Sequence, residues 1–111
     1  MLPGKYLLYQ QWEGMKFGYC FFADIDEDGT IKIPGARFIG TWTEQAGDIA
    51  LAIAESSGNS ITSYRGRVYG GFMHGDMTGT NKNGEVFKGA WNARYYGFDE
   101  AAESELKEPG K

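Results

Sequence analysis

The chain has 111 residues, which fits one domain and leaves no room for a second; folding at this size buries roughly 65% of the surface an unfolded chain exposes. Apolar residues make up 41% of it and aromatics 15%, so core material is ample and disorder is excluded for most of the length. The net charge of −4 is uneven, with nine Lys/Arg against ten Asp/Glu in residues 1–98 and two against five in residues 99–111.

That near-neutral body lacks the basic stripe that phosphate backbones require, so nucleic acid is not an expected partner; Arg37, Arg65, Arg67 and Arg94 are its only arginines. The first residues, Met-Leu-Pro-Gly-Lys-Tyr, hold no basic region followed by an apolar stretch, and no run approaches the roughly 18 apolar residues that cross a bilayer. Cys20 is the single cysteine, so no intramolecular disulfide can form and a reducing compartment is expected. The expectation is a cytoplasmic protein with no membrane partner.

Seventeen glycines run from Gly4 to Gly110 with apolar/polar alternation between them, the pattern of many short strands joined by tight turns. Strands are predicted at Lys5–Trp12, Lys16–Asp24, Gly29–Ile33, Arg37–Thr43, Asp48–Ala54, Ile61–Tyr69, Phe72–Thr78 and Glu85–Tyr95. In the second of these Phe17, Tyr19 and Phe21 share one face while Cys20 and Phe22 occupy the other. Both faces are then apolar, which fits either a strand covered by the C-terminal segment or a self-association surface. In the later strands Ile49, Leu51 and Ile53 face one way, as do Tyr64, Gly66 and Val68, and as do Phe87, Gly89, Trp91, Ala93 and Tyr95. Asp28-Gly29, Gly70-Gly71 and Asn83-Gly84 accept the positive φ of hairpin turns, so consecutive strands should be antiparallel neighbours. About eight strands is the count that closes a small barrel. The fold class expected is all-β, a single antiparallel up-and-down barrel over residues 1–98, with a β-sandwich as the alternative because it would show the same turns. Residues 99–111 are expected to form an acidic tail or a short helix with Asp99 as N-cap.

Phe38-x-Gly40-x-Trp42 and Phe87-x-Gly89-x-Trp91 repeat one pattern, with Gly4-Lys5-Tyr6 a weaker version. With Phe, Gly and Trp on one face, the glycine leaves room for a neighbour's ring and the Trp fills the core. These Gly-x-Trp motifs, with Tyr64-x-Gly66-x-Val68 and Gly75-Asp-Met-Thr-Gly79, resemble small antiparallel barrels of the avidin and lipocalin (calycin-like) type over residues 4–96. The resemblance implies a barrel mouth or interior able to take a small apolar molecule. The same inward side chains, Trp42, Trp91, Phe38, Phe87, Tyr64, Leu51 and Ile53, could instead fill the barrel completely.

Asp24-Ile25-Asp26-Glu27-Asp28-Gly29-Thr30-Ile31 matches the first eight positions of a calcium loop. The twelfth position is Gly35 where a bidentate carboxylate belongs, Lys32 brings a positive charge, and the flanks read as strands, so an acidic hairpin turn is the favoured reading. His74 and Asp76 share a strand face, but acid–base or nucleophilic chemistry needs a third group that no motif supplies. One His and one Cys cannot close a zinc shell. No catalytic residue, metal or cofactor is therefore expected.

The leading functional expectation is a non-enzymatic binding protein that holds a small apolar or aromatic molecule in the barrel mouth, lined by Trp42, Tyr64, Trp91, Phe38 and Phe87. The alternative is a protein-interaction or inhibitor module working through Phe17, Tyr19 and Phe22, including as a homodimer. Tyr9, Tyr69, Tyr95, Tyr96 and Phe98, with the arginines, could add to such a surface. A hydrolase or isomerase using His74 and Asp76 is the third.

Overall fold

The computed structural model of the protein describes residues 3–97. They form eight strands: β1 (Gly4–Trp12), β2 (Tyr19–Ile25), β3 (Thr30–Lys32), β4 (Phe38–Gln45), β5 (Asp48–Glu55), β6 (Ser60–Tyr69), β7 (Phe72–Asn81) and β8 (Val86–Gly97). Each pairs antiparallel with the next, and β1 pairs with β8, so the sheet closes into an up-and-down barrel. The sandwich alternative is thereby set aside. No helix occurs among the described residues. Phe98 and residues 99–111, for which an acidic tail or an Asp99-capped helix is expected, lie outside them.

The alternation read in the sequence sets which side chains face in. Tyr6, Leu8, Ala23, Ile25, Ile31, Ile49, Leu51, Tyr64, Met73, Met77, Trp91 and Ala93 are buried in one cluster. Outward positions carry Thr41, Thr43, Ser63, Arg65, Arg67, His74, Asp76 and Lys88. One register shift, between Lys5 and Tyr6, marks the β1–β8 seam.

Because strands alternate in direction, the loops sort to two ends. One end carries residues 26–29, 46–47 and 70–71, connections of four, two and two residues, together with the start of β1 and the end of β8. The other carries 13–18, 33–37, 56–59 and 82–85, connections of six, five, four and four residues. One of the two two-residue turns, Ala46-Gly47, has both residues at positive φ, 53° and 88°, the mirror-image geometry whose twist matches the strands it joins.

Inward glycines allow the strands to bend and approach one another. Gly66 and Gly75 face each other across β6 and β7, and a Cβ on Gly75 would stand on the Arg65 carbonyl oxygen, the same atom to which Trp91 Nε1 donates at 3.1 Å. In the repeated motif, added Cβ atoms at Gly40 and Gly89 would meet the carbonyl oxygens of Ala52 and Gln11. The expectation that these glycines make room for a ring is corrected: what approaches them most closely is the neighbouring strand's backbone, as a tightly curved sheet requires.

Closure is weakest beside β2. The β2–β3 pairing comprises only Asp24 with Lys32 and Ile25 with Ile31, because β3 is three residues long. Among the described residues no strand pairs with the free edge of Tyr19–Ala23.

Candidate functional site

The end with the longer connections holds a recess of about 240 Å³. Gln10 of β1 and Phe21 of β2 form one wall; Ile33 and Ala36 of the β3–β4 loop and Phe38 of β4 form the next; Ile53 of β5 and Thr62 and Tyr64 of β6 complete it. The lining is mostly apolar, with three polar side chains and no charged one. A ligand pocket usually has this character: apolar walls with a few polar groups that fix orientation.

The polar groups converge. Tyr64 Oη donates to Gln10 Oε1 at 2.6 Å, joining residues 54 apart in sequence across the barrel interior. Burial pushes the Tyr64 phenol well above its ordinary pKa, and the Thr62 side chain offsets that only in part. The hydroxyl, neutral at physiological pH as any phenol is, stays a neutral donor further into the alkaline range. Below it, Trp91 meets the Tyr64 ring edge-on with centroids 5.5 Å apart, and the two rings form the floor beneath which the barrel is filled.

Of the expected lining residues, Tyr64 and Phe38 border the recess. Phe87 lies on the rim, edge-on to Trp12 at 6.4 Å, and Trp91 is buried at 2% exposure in the core. Trp42 is at the opposite end, where its Nε1 donates to the Asp26 carbonyl at 2.8 Å. The repeat explains this division. β4 and β8 run in the same direction, so each Phe-x-Gly-x-Trp copy carries its Phe toward the recess and its Trp away from it.

Gln10, Phe21, Ile33, Ala36, Ile53 and Thr62 were not singled out as site residues from the sequence. The available signal was Gln10, a polar side chain on the inward stripe Tyr6, Leu8, Gln10, Trp12. An amide in that register marks either a wet end or a functional contact.

Phe17, Tyr19 and Phe22, the expected interface residues, separate. Phe17 sits in the loop before β2 and is 80% exposed, Tyr19 opens β2 beside the recess, and Phe22 faces outward. Phe22 meets Tyr96 edge-on at 4.9 Å, with Lys5 Nζ 5.7 Å from its ring. Cys20 is exposed on the same outer face.

The acidic turn is closed by its own partners. Thr30 Oγ1 bonds Asp28 Oδ1 at 2.6 Å and Asp26 Oδ2 at 3.2 Å, and Lys32 Nζ lies 3.8 Å from Asp26 Oδ2. The Thr30 hydrogen bonds hold the Asp28 carboxyl below its usual pKa. No cluster of three metal-ligating side chains occurs among the described residues. His74 is stacked on Tyr69 at 5.2 Å and faces outward with Asp76, opposite Arg67 and Arg65 of β6. Arg67 is engaged by Asp48 at 2.6 Å.

Neither a protein-family profile nor a curated protein matches this chain.

Proposed function

We propose that the protein is a non-enzymatic binder that holds a small apolar or aromatic molecule in the open end of its barrel. The observation that carries this reading is the 240 Å³ recess with five apolar lining residues and a Tyr64–Gln10 hydrogen bond at its base. An apolar cavity of about 150 Å³ takes a benzene ring, so this one suits a molecule somewhat larger than a single ring. Outward Arg65, Arg67, His74, Asp76 and Lys88 stand where a lipid-facing barrel carries its apolar band. An up-and-down barrel of eight strands with one open end also supports kinship of design with calycin-like carriers.

Native mass spectrometry of the freshly purified protein tests the reading. The expected result is extra mass that disappears on denaturation, or that returns on adding a naphthalene-sized compound, and that is lost in Thr62→Trp, which fills the recess. Bare protein with every such compound would refute it.

A second reading, a protein-interaction module that adds a strand to the free edge of β2, has its own support in the unpaired Tyr19–Ala23 edge beside exposed Phe22 and Tyr96. A homodimer formed this way would raise the sedimentation coefficient with concentration, and Phe22→Lys would abolish the rise.

A further inference from the structure

Resting on the binding reading above, the identity of the polar groups in the recess narrows the ligand. The Tyr64 phenol, protonated at neutral pH like any tyrosine, spends its proton on Gln10 Oε1 at 2.6 Å. That contact fixes the orientation of the Gln10 amide, because a phenol that donates must face the amide oxygen. The amide nitrogen then remains, with two N–H donors and no hydrogen bond to any described residue. A hydrocarbon seated in the recess would cover this donor without pairing it, which costs free energy, whereas a ligand acceptor would pair it.

The walls add two constraints. Phe21 and Phe38 present aromatic surface and Ile33 and Ile53 aliphatic surface, so the body of the ligand is apolar and suited to ring contacts. No lining residue is charged, so a carboxylate would be stripped of water with no cation to meet it.

We propose that the recess selects a neutral aromatic ketone or amide, with its carbonyl oxygen inward on Gln10 Nε2 and its ring between Phe21 and Phe38. Gln10 is then the residue that discriminates acceptor-bearing ligands from hydrocarbons of the same shape, and Tyr64 positions it.

Three probes of matched size test this on the full chain: 2-acetylnaphthalene, 2-isopropenylnaphthalene, in which the carbonyl oxygen is replaced by a methylene, and 2-naphthoate. Dissociation constants come from NMR titration of the backbone amides. The expected result is that the ketone binds roughly tenfold tighter than the hydrocarbon, the value of one hydrogen bond to an otherwise unpaired donor, and also tighter than the carboxylate. In Gln10→Leu the ketone and the hydrocarbon should bind equally, and Tyr64→Phe should narrow their ratio by freeing the amide to rotate. Equal binding of ketone and hydrocarbon by the wild-type protein would overturn the assignment while leaving the binding reading intact. So would tightest binding of the carboxylate, or a ratio that survives in folded Gln10→Leu. Binding of none of the three would end both.

Discussion

The two ends of this barrel are built from the same alternating strands and differ in how they finish. At one end, turns as short as Ala46-Gly47 and Gly70-Gly71 draw the strands together over Tyr6, Ile25, Ile31 and Met73, and the Trp42 indole is tied to the Asp26 carbonyl. At the other, connections of four to six residues stand around a recess, and Phe38 and Phe87 remain partly in water. Loop length and the depth to which aromatic rings penetrate therefore decide which end closes over a packed core and which is left with a recess. Cores are packed to crystal-like density, so an unfilled end represents packing energy left unused.

Substitutions should separate the ends by size of effect. Trp91→Ala removes a ring buried to 2% and the bond to the Arg65 carbonyl, and should cost about 3–5 kcal/mol in denaturant unfolding; a loss under about 1 kcal/mol would mean the middle of the barrel is not solid. Trp42→Phe keeps a ring but drops the indole donor to Asp26, and should cost about 1–2 kcal/mol without changing affinity for any ligand of the recess.

Tyr64 gives the comparison a pH signature. Its folded pKa is raised above the ordinary value of 10.0, so its contribution is fully present below that pH and is lost as pH climbs toward the folded pKa. Stability should be flat in this respect up to about pH 10 and then fall by at most about 1.4 kcal/mol per pH unit. Tyr64→Phe should remove that part of the alkaline slope, and a wild-type slope identical to the variant's would contradict the burial of the hydroxyl.

Phe38→Ala, at the open end, should cost only about 1–2 kcal/mol because the ring is already 40% exposed, yet weaken ligand binding in calorimetry. The smallest effect is a gain. Ala46 sits at φ 53°, where a Cβ is disfavoured by about 1 kcal/mol or more, and Ala46→Gly should raise the melting temperature slightly.

Much of this was legible in the sequence because a barrel with a wet outside writes its period into the chain. Ile49-Ala-Leu51-Ala-Ile53 and Phe87 through Tyr95 fixed the inward faces, and the glycine pairs marked the turns. The alternation says which face a residue occupies but nothing about its height in the barrel. The alternation therefore places Trp42 and Trp91 with the mouth residues, although strand direction carries both away from it. Ala46-Gly47 carries no hairpin signature in the sequence, because alanine is rarely found at positive φ. The recess itself depends on the shortness of β3 and the bend of the 33–37 loop, and neither leaves a periodic signal.

The most direct test of the difference between the ends is a map of backbone amide shifts as 2-acetylnaphthalene is added to the wild-type protein. The account predicts saturable shifts concentrated at Gln10, Phe21, residues 33–38, Ile53 and Thr62, with the turns at 26–29, 46–47 and 70–71 unmoved. Shifts centred on those turns, or none at saturation of the compound, would contradict it.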